Sequence, residues 1–123
     1  MGIRKNVLKD KSFAFAIRIV RLRRYLQEKQ EFDISRQLLR SGTAIGALIR
    51  EAEFAESVAD FIHKMSIAQK EANESQYWLD LLVSTDYIER DAYESIRSDI
   101  DELIKLLTSS IKTAKANGEW RKK

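Results

Sequence analysis

The sequence contains no cysteine and no proline, and only four of its 123 residues are glycine. Without cysteine, the chain has no disulfide framework and no thiolate nucleophile or ligand. The lack of proline, together with many alanine, leucine, glutamate, lysine and arginine residues, favours a single all-helical domain. One histidine, His63, cannot supply the two Glu-x-x-His pairs of a di-iron bundle. We interpret it as a surface residue.

Long apolar segments and catalytic motifs are also missing. The longest apolar run, Phe13–Ile17, is far shorter than the ~20 residues of a membrane span. The first residues lack the apolar core of a signal peptide, so we expect a cytoplasmic protein with no membrane contact. Ser41–Gly46 is similar to a phosphate loop, but it lacks the Gly-Lys-Ser/Thr ending and a preceding strand. We therefore predict no catalytic residue, no metal and no cofactor.

Charge is distributed unevenly along the chain. The net charge is +3, with 22 basic and 19 acidic residues. Residues 1–40 carry eleven basic and four acidic side chains, residues 41–107 six and fourteen, and residues 108–123 five and one. Basic ends and an acidic middle indicate a surface with separated electrostatic fields.

Apolar periodicity predicts four helices, at about 12–30, 35–56, 58–84 and 92–115. Residues 1–11 are polar and basic, and we expect a loose lead-in there. Ser12, Ser35 and Ser57 are candidate N-caps, and Asn117-Gly118 is a candidate stop signal. Four amphipathic helices with short connections predict an all-α, antiparallel, up-down-up-down four-helix bundle.

Two groups of small residues indicate a close helix contact. Gly42 and Gly46 lie four residues apart in the second helix, where each glycine costs about 1 kcal/mol relative to alanine. The third helix has bulky ends and a narrow middle, formed by Ala68, Ala72 and Ser75. We predict that the glycines pack against this narrow middle.

Several apolar residues lie outside the stripes that one bundle core requires. The first helix has a second apolar stripe, and Phe54, Tyr77, Trp78 and Leu81 lie off the core positions. A monomer would expose much of this surface, so we expect self-association. A broad core within a single chain is the alternative.

A set of basic residues is the main candidate for function. Arginine forks suit phosphates and an aromatic ring can stack on an unpaired base, so we predict a nucleic-acid-binding set. An ordinary solvated face is the alternative for the stripe on the first helix. The acidic segment 86–102 is a separate candidate, a docking face for a basic protein partner. On the third helix, Glu71, Asn73 and Gln76 form a polar cluster, which we expect either to fix the helix register or to line a channel between subunits. The members of the basic set are Arg18, Arg21, Arg24, Tyr25, Arg36, Arg40, Arg50, Lys112 and Lys115.

The central part of the chain carries a family resemblance. The strings that carry it are Ser-Gly-Thr-Ala-Ile-Gly-Ala-Leu-Ile-Arg-Glu-Ala (41–52), Ala-Glu-Ser (55–57), Asp-Phe-Ile-His-Lys (60–64) and Ile-Ala-Gln-Lys-Glu-Ala-Asn-Glu-Ser-Gln-Tyr-Trp-Leu (67–79). With them the sequence resembles the bacterial four-helix-bundle proteins encoded in 23S ribosomal RNA intervening sequences.

This resemblance implies a homopentamer. It also implies kinship with the accessory bundle protein of diversity-generating retroelements, which binds nucleic acid and works with a reverse transcriptase. It implies no catalytic residues. Two functions follow as expectations: a non-enzymatic, oligomeric protein that binds nucleic acid, RNA first, or a scaffold for a nucleic-acid enzyme without direct nucleic-acid contact.

Overall fold

The computed structural model describes residues 2–122, and side chains over residues 7–118. It contains four helices, α1 (Gly2–Glu28), α2 (Asp33–Glu53), α3 (Val58–Ser84) and α4 (Arg90–Lys122). Each helix packs against the next, and α4 returns to α1, whereas the diagonal pairs α1–α3 and α2–α4 have no close backbone approach over the described residues. This arrangement confirms the predicted four-helix bundle.

The predicted inner faces of the helices form the core. On α3 the stripe runs from Met65 to Leu82, and on α4 it runs from Ile96 to Ile111. The inner face of α1 is the stripe of Phe15, Ile19 and Leu26. The core therefore uses one of the two apolar stripes of α1 and leaves the other outside.

The expected loose lead-in is wrong, because α1 begins at Gly2. Leu8 is buried one turn before Ser12, so the inner apolar face of α1 extends into the polar N-terminal segment. Ser12 does not cap the helix. It is itself buried within α1, and its hydroxyl donates a hydrogen bond to the Lys9 carbonyl.

The start of α2 differs from the prediction in a similar way. Ser35 is buried inside the helix, and its hydroxyl donates to the Glu31 carbonyl. The cap is the buried Glu31 carboxylate, which accepts hydrogen bonds from the backbone amides of Ile34 and Ser35 at 3.0 and 2.6 Å. Free amides at a helix N-terminus stabilise an anion, so a carboxylate serves here in place of a hydroxyl.

The start of α3 confirms the predicted cap. Ser57 has extended backbone dihedrals, and its hydroxyl accepts from the Asp60 amide at 3.0 Å. The Asp60 carboxylate in turn accepts from the Glu56 amide at 3.2 Å. This reciprocal pair starts a new helix without proline or glycine.

The predicted end of α4 is wrong. Asn117-Gly118 does not stop the helix, which continues to Lys122. A Cβ on Gly118 would lie 3.2 Å from Val58, so this glycine serves packing against the start of α3. On the surface of the same helix, Asp101 pairs with Arg97 at 3.1 Å.

Candidate nucleic-acid interface

The close approach that the two glycines permit is with α1. A Cβ added to Gly42 would lie 2.9 Å from Ile19 Cγ1, and one added to Gly46 would lie 3.4 Å from the Ser12 hydroxyl. The predicted partnership between these glycines and the narrow middle of α3 is therefore wrong. Periodicity identified the correct inner side of α2, but the two glycines lie on the part of that side that packs against α1. Ser12 and Ile19 are the α1 residues that meet them.

The narrow middle of α3 does face α2, through a different small residue. Ala68, Ala72 and Ser75 are fully buried. The Ser75 hydroxyl oxygen lies 2.9 Å from the Ser41 hydroxyl oxygen and 3.0 Å from the Glu71 carbonyl oxygen, within hydrogen-bond distance of both. The small residues of the two helices thus form separate contacts: α2 glycines with α1, and Ser41 with α3.

Two arginines of the predicted basic set are neutralised across helix boundaries. Arg18 of α1 contacts Asp99 and Ser95 of α4, at 2.6 and 3.0 Å. Arg40 of α2 binds both Glu71, at 3.1 Å, and Glu74 of α3. These two guanidinium groups join neighbouring helices and already have their anionic partners.

The Arg40 cluster changes the acidity of one of its carboxyls. Trp78 donates its indole N–H to Glu74 at 3.0 Å, and Arg40 adds a second hydrogen bond. Both bonds favour the ionised form, so the pKa of the Glu74 carboxyl lies below its ordinary value. The cluster is a structural joint between α2 and α3.

The other arginines of the set have no carboxylate partner among the described residues. Arg21 and Arg24 lie on the outer side of α1, and Arg36 and Arg50 are exposed on α2. Arg50 and Arg36 are two heptads apart, which places them on one side of α2. The Arg50 guanidinium lies 5.3 Å from the centre of the Phe13 ring of α1, so this side of α2 adjoins the outer side of α1.

The same surface carries the unused apolar stripe of α1. Its side chains line an open groove of about 350 Å³ on the outside of the bundle, flanked by Arg21 and Arg24. Phe13 is 54% exposed and Ile17 is 38% exposed. We call this surface the outer α1–α2 face; its members are Phe13, Ala16, Ile17, Val20, Arg21, Arg24, Arg36 and Arg50.

The outer α1–α2 face is free of acidic residues in its sequence. No aspartate or glutamate occurs between Lys11 and Gln27 of α1, or between Ile34 and Arg50 of α2. Every ionisable side chain that these two segments contribute, apart from Tyr25, is therefore a cation at neutral pH. This double gap in acidic residues was readable from the sequence, and it locates the face better than the arginine count.

Three other members of the predicted basic set lie outside this face. Tyr25 follows Arg21 by one turn, is 42% exposed, and has the Lys29 ammonium 5.3 Å from its ring centre. Lys112 and Lys115 are exposed on α4, whose described residues make no close backbone approach to α2. The predicted basic set is thus spread over two surfaces.

Arg23 is a residue that the sequence reasoning missed. It lies in the acid-free segment of α1 and is only half-exposed. Its Nε atom is buried and has no hydrogen-bond partner among the described residues. Its position between Leu22 and Arg24 gave no periodic signal that separated it from the surface arginines.

The α3–α4 side of the bundle is organised differently. Arg97 binds Asp80 of α3 at 2.6 Å, and its Nη1 lies 2.8 Å from the Tyr93 hydroxyl. Tyr93 also donates to Asp80, and this hydrogen bond, followed by burial, raises the pKa of the Tyr93 hydroxyl. Gln76 donates to Asp101 at 2.6 Å. Polar side chains therefore close this boundary.

The predicted polar cluster of α3 does not converge on one point. Glu71 faces Arg40 of α2, whereas Gln76 faces Asp101 of α4, and Asn73 is exposed. His63 is exposed, as expected. Within one chain, Glu71 and Gln76 form hydrogen bonds between helices, which is the first of the two roles proposed for the cluster.

Over the described part of the chain, no three histidine, aspartate or glutamate side chains form a group that could hold a metal ion. No helix in that part is both long enough and apolar enough to cross a membrane. An open hollow of about 590 Å³ lies at the end of the bundle near the α2–α3 turn, and its one acidic side chain, Glu53, is 3.7 Å from Lys9.

Comparisons with known proteins agree with this fold. The profile of the family described as 23S rRNA-intervening sequence protein matches residues 4–109. A crystal structure of a protein of unknown function from the S23 ribosomal protein family of Bacteroides thetaiotaomicron is 59% identical to this chain. The match covers 89% of this chain and 99% of that one, with a TM-score of 0.88. Among curated proteins, none matches.

Proposed function

Because the chain belongs to the 23S rRNA-intervening sequence protein family, we propose that it is a non-enzymatic, oligomeric protein that binds nucleic acid, RNA first, through the outer α1–α2 face. One observation carries this proposal. The arginines of this face form no ion pair with a carboxylate among the described residues, although arginines at other helix boundaries are paired. A group of unneutralised guanidinium ions on one surface favours a polyanion.

The guanidinium group suits phosphate better than a simple point charge does. Its fork of N–H donors binds two phosphate oxygens at once, and it is more weakly hydrated than an ammonium ion. Arg21 and Arg24 are exposed on one side of α1, and Arg50 approaches from α2. A phosphate backbone that crosses the α1–α2 boundary would meet cations from both helices. The family's description, which names a ribosomal RNA intervening sequence, supports RNA over DNA.

The oligomeric part of the proposal depends on apolar side chains that one chain leaves in solvent. Phe54 is 83% exposed at the end of α2, and Tyr77 is 57% exposed on α3, edge-on to Trp78. Neither residue lines the groove on α1. Their burial between copies would stabilise an assembly, and the family resemblance favours a pentamer. A ring would repeat a modest arginine face several times, which raises avidity for a long nucleic acid.

Binding to a structured RNA at two salt concentrations tests the proposal directly. Phosphate neutralisation releases counterions, so we expect affinity to fall steeply as salt rises. Light scattering on the same samples would report the oligomeric state. An intact oligomer that binds no RNA at low salt would rule out the proposed function, and a monomer at all concentrations would rule out its oligomeric part.

A second candidate function is a scaffold for a nucleic-acid enzyme such as a reverse transcriptase. It is supported by Asp86, Glu89, Asp91 and Glu94, which are exposed around the α3–α4 turn and form no ion pair among the described residues. Asp99, Asp101 and Glu102 of the same acidic segment are already paired within the bundle. Pulldown with and without nuclease would separate the two functions, since a scaffold retains its partner after nuclease treatment.

A further inference from the structure

We infer that the outer α1–α2 face recognises unpaired nucleotides, with bases against its apolar groove and phosphates on its flanking arginines. This inference rests on the proposed function and makes it more specific. It would assign a purpose to an apolar stripe that the core does not use and that a purely electrostatic site would not need.

The argument starts from the composition of the face. A duplex presents phosphates and sugars to a flat surface and keeps its bases stacked inside. Arginines alone are sufficient for such a contact. Phe13 and Ile17 nevertheless lie between the arginines of α1 and α2, and both remain exposed. A duplex backbone would leave these apolar side chains against charged phosphates.

Unpaired bases fit the same surface without that mismatch. Proteins that bind single strands combine a basic track with aromatic side chains on which bases stack, and this stacking tolerates any sequence. Phe13 provides such a ring, and Arg50 packs against it at 5.3 Å.

Charge complementarity selects this partner over a second copy of α1. Of the five cations from Lys11 to Gln27, Lys11 and Arg18 pair with carboxylates of α4, whereas Arg21, Arg23 and Arg24 form no ion pair among the described residues. Two such faces would therefore repel each other in a symmetric contact. A single-stranded nucleic acid supplies both partners that this face lacks, phosphates for the arginines and bases for the apolar side chains. The groove of about 350 Å³ is open to solvent.

The test uses the full chain and two RNA probes of about ten nucleotides, a labelled oligouridine and a duplex of equal length. Fluorescence anisotropy at one low salt concentration measures both affinities. We expect the single strand to bind about tenfold more tightly, and Phe13→Ser and Ile17→Ser each to weaken single-strand binding about tenfold while leaving duplex binding unchanged. Both positions are exposed, so circular dichroism should show an intact bundle.

Phe32→Ser is the matched control, since Phe32 is 46% exposed in the α1–α2 connection and does not line the groove. It should leave single-strand affinity unchanged. Equal affinity for duplex and single strand, an equal loss in the Phe32→Ser protein, or a change of oligomeric state caused by Phe13→Ser would each overturn the inference while leaving RNA binding in place. Failure of the parent protein to bind either probe would instead refute the proposed function.

Discussion

The α1–α2 pair and the α3–α4 pair are joined in opposite ways. Between α1 and α2, Gly42 and Gly46 admit the side chains of Ile19 and Ser12, so contact is made deep in the interior. Between α3 and α4, a network around Arg97 holds the outer edges of the helices together with hydrogen bonds and ion pairs. The α1–α2 pair is held mainly by packing in the interior, whereas the α3–α4 pair is also held by polar contacts at the surface.

This difference determines which cations remain available. Where polar side chains join two helices, as at Arg97 or Arg40, the guanidinium group is paired with a carboxylate and is not free to bind another anion. At the boundary that glycine packing closes, Lys9 of α1 pairs with Glu53 of α2 at 3.7 Å, but Arg21 and Arg24 form no ion pair among the described residues. The free arginines are therefore a consequence of how the helices are joined.

The largest expected effect concerns the glycine contact. Gly42→Leu should destabilise the bundle by about 2–3 kcal/mol, because even a Cβ at this position would lie only 2.9 Å from Ile19. Urea unfolding followed by circular dichroism measures the change. Gly46→Ala is the control. Its Cβ would make an ordinary 3.4 Å contact with Ser12, so better helix propensity should give about 0.5–1 kcal/mol of added stability.

If Gly42→Leu unfolds at the same urea concentration as the parent, α1 and α2 are not held together by this contact. The comparison between the two helix pairs would then lose its basis.

The next effect separates paired from unpaired arginines. Arg97→Ala removes contacts to Asp80, Asp101 and Tyr93, and we expect a loss of about 1 kcal/mol in the free energy of unfolding. Arg21→Ala removes a side chain without a partner and should change that free energy by no more than about 0.5 kcal/mol. Thermal unfolding of the two variants side by side would show whether they differ. A larger loss in the Arg21 variant would contradict the assignment of Arg21 as functional surface.

The smallest effect is a pH dependence at the α2–α3 joint. The pKa of Glu74 is lower in the folded protein than in the unfolded chain, so its ionised form stabilises the fold at pH values above the unfolded pKa. That contribution, under about 1 kcal/mol for a partly exposed pair, is lost as pH falls through the folded pKa.

Glu74→Gln should therefore be less stable than the parent at neutral pH and nearly equal to it in acid. Urea titrations at several pH values would measure the gap between the two proteins. A gap that widens as the pH falls would have the wrong sign for a carboxyl with a lowered pKa.

The sequence predicted the inner faces well, because periodicity depends on each helix separately. On α3 the heptad spacing predicts an inner face of eight residues, of which six are buried and two are half-buried. They are Val58, Phe61, Met65, Ala68, Ala72, Ser75, Leu79 and Leu82. The partner of each face was harder to predict. Gly42 contacts Ile19 rather than Ala72 because that contact depends on how the four helices are arranged around the core, which no single-helix pattern encodes.

The candidate site was predictable only in part, for a related reason. Whether an arginine is free depends on the register between helices, and registers set Arg18 opposite Asp99 and Arg40 opposite Glu74. The prediction from sequence therefore placed Arg18 and Arg40, which are paired, in the same set as the unpaired arginines. Helix ends were also difficult, since Glu31 caps α2 through a carboxylate where a serine was expected.

The most direct test of the central claim is the salt dependence of RNA binding in a charge-reversal variant of the outer α1–α2 face. Arg21→Glu/Arg24→Glu is compared with Lys70→Glu/Lys105→Glu, which makes the same charge change at exposed positions of α3 and α4. We predict that the arginine variant binds single-stranded RNA more weakly and that its plot of log affinity against log salt is shallower by about 1.5, since each lost phosphate contact removes about 0.7–0.9. The lysine variant should keep the parent slope. An equal change in both variants, or none in the arginine variant, would contradict the claim.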